Sequence, residues 1–135
     1  MKVLAVDFGS RRIGLAVGNS QTRLATPLGQ IAARNRRHVL EEILKRIGEF
    51  EIGQIVVGYP LNMDGTISPV CEQVDRFINY LQKKTALPIS RVDEKLSSFA
   101  AEEMGKEMVN DYRRRKTFLD SLAAQVILQN FFERQ

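Results

Sequence analysis

The chain begins with a short, continuous apolar run, VLAV at residues 3–6, which ends at Asp7. A second run, IVV at residues 55–57, has the same character. Unbroken apolar runs of this length are typical of strands that are buried on both faces of a sheet. A carboxylate directly after such a strand has no use in the core, so Asp7 is a candidate functional residue.

Hydrophobic spacing predicts five strands and their order in one sheet. The expected strands cover residues 3–8, 13–17, 24–31, 55–57 and 88–92. Pro27 cannot donate to a strand ladder, so the third strand belongs at a sheet edge. With right-handed crossovers, the predicted fold is α/β, with a five-stranded mixed sheet of order 3-2-1-4-5 and helices on both faces.

Helical spacing predicts a helix over residues 39–47, ended by Gly48. A second helix should begin at Ser68 as N-cap and Pro69 as first helical position, with Val70 in its apolar stripe. A polar helix is expected from Ser97 or Ser98 toward residue 108, and a final helix over residues 119–131.

The predicted topology brings acidic residues to one edge of the sheet. Open α/β sheets bind ligands beyond the carboxyl ends of their parallel strands. Asp7 sits at such an end, and Glu94 follows the end of the last strand. Carboxylates that are brought together repel, and a divalent metal ion is the usual remedy.

Each candidate carboxylate also has a structural explanation. Asp7 could form an Asx turn with Gly9, and Glu94 could be a surface ion pair, with Asp93 as the functional residue instead. Asp120 could complete a capping box that starts at Thr117. Against the cap, residues 123, 124 and 127 share the helical face of Asp120 and would allow close approach to the sheet.

Charge is distributed unevenly along this chain of net charge +4. No acidic residue occurs between Phe8 and Leu40, a region that contains Arg11, Arg12, Arg23, Arg34, Arg36 and Arg37. A second basic cluster, RRRK at residues 113–116, directly precedes Asp120. Arginine grips phosphate well, so the pattern indicates nucleic-acid binding, with a solvated surface as the alternative. Lys116 could hold a phosphate or simply pair with Asp120 four residues later.

Composition excludes several classes of protein. At 135 residues the chain is expected to form one domain, and no apolar run approaches the roughly 18 residues of a membrane span. No secretory signal pattern opens the chain, so we expect a cytoplasmic protein without membrane contact. One cysteine, Cys71, and one histidine, His38, exclude an internal disulfide and a Cys/His zinc site. Cys71 is expected in the core.

Four segments together resemble the bacterial YqgF family of pre-16S rRNA nucleases, also called Holliday-junction-resolvase-like proteins. They are VDFGSRRIGLAV at 6–17, VGYPLNMDGT at 57–66, DEKLSS at 93–98 and DSLAA at 120–124. The resemblance implies an RNase H-like fold and a metal-dependent acidic site at Asp7, Glu94 and Asp120. Lys95 stands where the family usually has arginine, and Tyr59 where it commonly has leucine.

The resemblance also implies an activity. It predicts an endonuclease that uses two Mg²⁺ or Mn²⁺ ions to cleave precursor 16S ribosomal RNA, with branched DNA as the alternative substrate. Arg11, Arg12 and Lys116 are expected to position the phosphate backbone, and Asn62 is a second candidate contact. A non-catalytic RNA-binding or assembly module and an ATPase of the actin and sugar-kinase kind are the competing interpretations. Monomer and homodimer both stay open.

Overall fold

The computed structural model describes residues 1–9, 11–62, 64–93 and 112–134, with only the backbone described from 112 to 121. Its strands are β1 (Lys2–Phe8), β2 (Arg12–Asn19), β3 (Leu24–Ala32), β4 (Ile52–Tyr59) and β5 (Ile89–Asp93). Its helices are α1 (Arg36–Glu49), α2 (Pro69–Gln82) and a C-terminal helix that we call α3 (Tyr112–Glu133). The polar helix predicted between residues 97 and 108 lies outside the described residues.

The strands form one sheet in the order β3-β2-β1-β4-β5, which confirms the predicted order. β1 pairs antiparallel with β2 and parallel with β4, and β5 continues the parallel half. β1 is therefore the central strand, and its carboxyl end lies at the same edge as those of β4 and β5.

Side chains of the two sheet faces form two separate cores. One face packs against α1 and α2, with Leu4, Val6 and Val57 at its centre. The other face packs against α3 and includes Val3, Ala5, Ala16, Val56 and Val92 from the sheet. Side chains alternate between the two faces along a strand, so residues two apart face the same helices. We call this property strand parity.

The edge position of β3 agrees with the expectation from Pro27. Ala16 pairs with Pro27 while Leu15 pairs with Gly29, so Leu28 is an extra residue in β3. Gly29 has a positive φ of 106°, a backbone conformation that glycine adopts without strain. The strand thus accommodates its proline through a bulge at the sheet edge.

The ends of α1 and α2 differ in detail from the prediction. α1 continues past Gly48 to Glu49, and Phe50 N donates to Arg46 O at 3.0 Å. Ser68 is the N-cap residue of α2, but its hydroxyl donates to Pro60 O at 2.6 Å instead of capping the helix. Val70 is 41% exposed, and the buried position in that turn belongs to Cys71, as expected for this cysteine.

The start of α3 contradicts the capping interpretation of Asp120. The helix begins at Tyr112, so Thr117 lies inside it and cannot be its N-cap. Hydrophobic spacing could not reveal this start, because residues 113–116 are all basic. Among the described helices, none is both long and apolar enough to span a membrane.

Candidate active site at the carboxyl edge of the sheet

Asp7 lies one residue before the end of the central strand and is partly buried. It shares its sheet face with Val3 and Ala5, which belong to the core beneath α3. The carboxylate of Asp7 therefore stands on the α3 side of the sheet, at the edge where β1, β4 and β5 end.

Both strands beside Asp7 carry glycine at its level. Asp7 pairs in register with Gly14 of β2. On the other side, Val6 pairs with Val57, so Gly58 of β4 follows at the level of Asp7. Neither of these directly paired residues has a side chain, so no side chain stands immediately opposite the carboxylate on either neighbouring strand.

Phe8 fixes the end of β1 from the opposite face. Its ring packs edge-on against Phe77 of α2, with 4.5 Å between centroids. The alternation of β1 thus places an aromatic anchor on one face and the carboxylate of Asp7 on the other. This anchor limits the movement of the strand end that carries Asp7.

The turn after β1 is tight and basic. Gly9 N donates to Arg12 O at 2.8 Å, and a Cβ at Gly9 would lie 2.6 Å from the same oxygen, so only glycine fits there. Arg11 is exposed, and its carbonyl accepts from Ala33 N at 2.9 Å. Arg12 begins β2 on the face shared by Gly14, which is the face of Asp7.

At the end of β5, the alternation of side chains shows which sheet face Asp93 occupies. Val92 belongs to the core beneath α3, whereas Ile89 packs into the core beneath α1 and α2. Asp93, which pairs with Tyr59, has the parity of Ile89 and so faces away from Asp7. Glu94 lies outside the described residues.

Three polar side chains on the α2 face connect β4 and β5 to α2. Asp75 accepts from the Tyr59 hydroxyl at 2.9 Å and from Arg91 Nε at 2.9 Å. The hydrogen bond to Asp75 raises the pKa of Tyr59 to about 12. We call these residues the Tyr59 cluster. Sequence reasoning did not find it, because the partners are separated by 16 residues.

α3 crosses the Asp7 face in close contact with the sheet. A Cβ at Gly18 would lie 3.0 Å from Leu128 Cδ2. The glutamines of α3 pin the helix to β3: Gln125 Nε2 donates to Ala25 O at 2.9 Å, and Gln129 Oε1 accepts from Ala25 N at 3.1 Å. Ala25, Gly18 and Val3 are in register across three strands, so these contacts lie near the start of β1.

The part of α3 that precedes these contacts in the chain also lies over the sheet. Leu122, Ala123 and Ala124 are buried, as expected if this part of the helix covers the sheet instead of passing beyond it. Eight residues of helix separate Asp120 from Leu128, a rise of roughly 12 Å. Four residues of strand separate Asp7 from Val3, a rise of roughly 13 Å.

Helical spacing assigns the backbone position of Asp120 to the stripe that faces the sheet. Ala124, Ile127 and Leu128 of α3 belong to the core over β1 and β2. Position 120 precedes them by four, seven and eight residues, and position 116 precedes Asp120 by another four. Asp120 and Lys116 therefore follow the same stripe toward the N-terminus of α3.

The loop after β4 lies at the same edge and contains Asn62. Asn62 is exposed, and its side-chain amide donates to Thr66 Oγ1 at 2.9 Å. Its backbone closes the loop as well, since Asn62 N donates to Thr66 O at 2.8 Å and Asn62 O accepts from Gly65 N at 2.9 Å. Asn62 thus holds the shape of this loop.

The described residues contain part of the predicted acidic set. The structure places Asp7, Arg11, Arg12 and Asn62 around the carboxyl edge, and it gives the backbone positions of Lys116 and Asp120. Within the residues whose side chains are described, no group of three metal-ligating side chains occurs.

Comparison with known proteins identifies relatives of the whole chain. A family model described as RuvX, Holliday junction resolvase, matches residues 1–134. A Maridesulfovibrio salexigens protein named "Putative pre-16S rRNA nuclease" is 40% identical over 134 residues, 99% of both chains. A Burkholderia vietnamiensis protein of the same name is 40% identical over 130 residues, 96% of this chain and 87% of its own. These matches confirm the resemblance drawn from the four motifs.

Two solved structures share the fold at low sequence identity. The T. thermophilus RuvC in complex with Holliday junction substrate has a TM-score of 0.61 at 15% identity, covering 99% of this chain and 94% of that chain. The fowlpox virus Holliday junction resolvase has a TM-score of 0.62 at 12% identity, covering 99% of both. The predicted RNase H-like fold class is confirmed by these neighbours.

Proposed function

Because the chain belongs to the family described as RuvX, Holliday junction resolvase, we propose that it is a nuclease that hydrolyses phosphodiester bonds of precursor 16S ribosomal RNA in the cytoplasm. In this proposal, one nuclease domain spans residues 1–135. Asp7, Glu94 and Asp120 are its catalytic carboxylates and hold Mg²⁺ or Mn²⁺.

One observation carries the proposal: Asp7 lies on the sheet face beneath α3, at the end of the central strand. Helical spacing from Ala124, Ile127 and Leu128 predicts that position 120 lies on the side of α3 toward this face. α3 contacts all five strands of the sheet, so this helix covers the face on which Asp7 lies.

Strand parity disfavours Asp93 as the second ligand, and Glu94 is proposed on the motif resemblance. Val92 packs beneath α3, on the face of Asp7, and side chains alternate along a strand, so the last residue of β5 faces the other way. Asp93 has the opposite parity and pairs with Tyr59, on the face of the Tyr59 cluster. We therefore keep Glu94 in the proposed site.

The proposed donor set suits hard divalent cations. Carboxylate oxygens are the preferred protein ligands of Mg²⁺ and Mn²⁺. The residues directly beside Asp7 on the two neighbouring strands are glycines, which leave room for ligands of a bound ion. Bound divalent ions would supply an activated water and stabilise the leaving oxygen of an in-line displacement.

Protein groups near the edge would bind and orient the substrate. Arg12 shares the face of Asp7 and Arg11 is exposed in the adjoining turn, so both are suited to phosphate oxygens. Lys116, one turn before Asp120 on α3, is proposed to hold the scissile phosphate. Asn62 stays a predicted contact, through the loop whose shape it maintains.

A Holliday-junction resolvase is the second candidate function. It is favoured by the description of the family and by the fold shared with two resolvase structures. Both functions use the same carboxylates and phosphate contacts, so the substrate distinguishes them. A resolvase acts on two-fold junctions as a dimer, whereas trimming of RNA needs no such symmetry.

The test compares three substrates under identical conditions. Precursor 16S rRNA fragments, unrelated single-stranded RNA and four-way DNA junctions are incubated with the protein, with Mn²⁺ or with EDTA. We expect metal-dependent cleavage of the precursor RNA. Cleavage of junctions alone would favour the resolvase, and cleavage of none in the presence of metal would support a non-catalytic binding module.

A further inference from the structure

The face of the sheet opposite Asp7 carries a concave basic surface between α1 and α2. A cavity of about 650 Å³ lies along α1 and is lined by Arg36, Arg37, Tyr80 and Lys84 among others. A second cavity of about 310 Å³ shares Arg36 and Tyr80 with the first and adds Arg76. We call the surface formed by Arg36, Arg37, Arg76, Tyr80 and Lys84 the basic groove.

The smaller cavity connects the basic groove to the end of β1. Phe8 and Gly9, the two residues after Asp7, line this cavity. Phe8 faces α2 while Asp7 faces α3, so the groove begins on the reverse side of the strand end that carries the candidate catalytic carboxylate. A flexible chain bound at Asp7 can therefore reach the groove around the Gly9 turn.

Among the residues whose side chains are described, most of the positive charge of the basic groove has no acidic partner. Its four cations face one acidic lining residue, Glu41, which pairs with Arg37 at 3.1 Å. In the part of the chain that the structure describes, neither Arg76 nor Lys84 forms an ion pair. A concave surface of one sign concentrates a partner of the opposite sign.

An aromatic side chain supports one wall of the basic groove. The Arg36 guanidinium lies 3.6 Å from the centroid of the Tyr80 ring, and Lys83 Nζ lies 5.6 Å from it. The stack holds Arg36 in one orientation, so less side-chain entropy is lost when it binds an anion. A positively charged groove with an aromatic residue is the arrangement used for single-stranded nucleic acids.

We propose that the basic groove binds a single-stranded extension of the nucleic-acid substrate, through its phosphates, after that strand has passed the carboxylate edge. This inference rests on the proposed nuclease function and adds a second contact region on the opposite face. A second copy of this chain is disfavoured as the occupant, because it would bring further net positive charge to the groove.

The experiment measures RNA binding over a range of salt concentrations. The groove variant carries Arg76→Gln and Lys84→Gln, and the control variant carries Lys2→Gln and Lys45→Gln, which are also exposed and remove the same charge. Labelled RNA, single-stranded or duplex, is titrated in EDTA so that binding is measured without cleavage. A short strand that covers only the cleavage site is included.

For a long single strand, the groove variant should bind roughly tenfold more weakly, and its salt slope should fall by about 1.4, since each phosphate contact contributes about 0.7. The short strand and the control variant should behave like wild type. A groove variant with the wild-type slope, or an equal effect in the control variant, overturns the inference. Sedimentation of the groove variant is measured as well. If it differs from wild type while RNA binding does not, the groove is a contact between two copies of this chain and the inference is overturned.

Failure of the nuclease function would look different. If wild-type protein binds the long strand through the basic groove but cleaves no RNA with Mn²⁺, the groove stands and the proposed activity is wrong. If cleavage is normal and the groove variant binds the long strand like wild type, the activity stands and the groove assignment is wrong.

Discussion

Gly18 of β2 lies directly beneath Leu128 of α3: a Cβ added to Gly18 would lie 3.0 Å from Leu128 Cδ2. The same Cβ would lie 2.9 Å from Phe132 Cε2 and 2.5 Å from Leu24 O. The missing side chain lets the helix that carries Asp120 pack closely against the sheet that carries Asp7. The distance between helix and sheet is therefore fixed by a glycine far from the candidate site.

Replacement of this glycine should loosen the packing. Gly18→Ala is expected to destabilise the protein by about 1–3 kcal/mol, because a backbone oxygen and two packed side chains must move. Urea unfolding gives the free-energy difference. The matched control is Gly48→Ala, since a Cβ there meets nothing within 4 Å and alanine should stabilise α1 by up to about 1 kcal/mol. Equal stability of Gly18→Ala and wild type would show that α3 does not pack this closely.

Asp93 and Glu94 are adjacent in the chain, and replacing each in turn tests which of them belongs to the candidate site. Glu94→Gln is expected to reduce metal-dependent cleavage at least about a hundredfold, since even changes outside the direct ligands cost roughly 10- to 100-fold. Asp93→Asn should retain most activity because its parity faces it away from Asp7. Single-turnover cleavage rates with Mn²⁺ distinguish the two. The reverse pattern would make Asp93 the ligand.

Much of the fold was predictable because particular residues restrict the arrangement of the strands. Pro27 sends β3 to the edge, and the continuous run before Asp7 requires a central β1. The Tyr59 cluster was not predictable, because it depends on the packing of α2 against β4 and β5. Ser68 was recognised as an N-cap, but the bond of its hydroxyl to Pro60 O depends on how the loop folds.

For the candidate site, the sequence provides residues that stay predictions. The sequence indicates Asp7 because a charge ends an apolar run, Glu94 because it follows the last strand, and Asp120 because small residues share its helical face. The motif resemblance then implies all three as one site. The sequence does not reveal Gly14 and Gly58 as the neighbours of Asp7, since strand register arises only when the sheet forms. Nor does it reveal how Gln125 and Gln129 pin α3, because their partner Ala25 is about a hundred residues away.

A one-carbon extension tests the role of Asp120. Asp120 lies inside α3 and not at its start, so Asp120→Glu, a good helix former, should not destabilise the helix. The added methylene displaces the carboxylate oxygens by more than about an ångström, which a metal site tolerates poorly. We expect normal RNA binding and loss of most cleavage under single-turnover conditions with Mg²⁺. Full activity would remove Asp120 from the ligand set.

The Tyr59 cluster should give a pH-dependent contribution to stability. Tyr59→Phe removes the hydrogen bond to Asp75 and should cost about 1 kcal/mol near neutral pH. Because the pKa of Tyr59 is raised from 10.0 to about 12, this contribution is fully present below pH 10 and is lost as the pH rises toward 12. The difference between variant and wild type should shrink over that window.

Thermal or urea unfolding from about pH 8 to about pH 12 measures the effect. Tyr80→Phe is the matched control, since in the described structure the Tyr80 hydroxyl makes no hydrogen bond and its ring contacts survive the change. A cost of Tyr59→Phe that is unchanged across the window would mean that the phenol does not donate to Asp75 in solution.

The central claim is that Asp7 holds a divalent metal ion for phosphodiester cleavage, and Asp7→Asn tests it most directly. Single-turnover cleavage of precursor 16S rRNA with Mn²⁺ is compared for wild type, Asp7→Asn and the control Asp93→Asn, together with calorimetric Mn²⁺ binding and the melting temperature in EDTA. We predict that Asp7→Asn loses more than about a hundredfold in rate and binds Mn²⁺ weakly. It should melt at the same or a higher temperature without metal, because carboxylate repulsion is relieved. Wild-type cleavage and Mn²⁺ affinity in a folded Asp7→Asn protein would contradict the account.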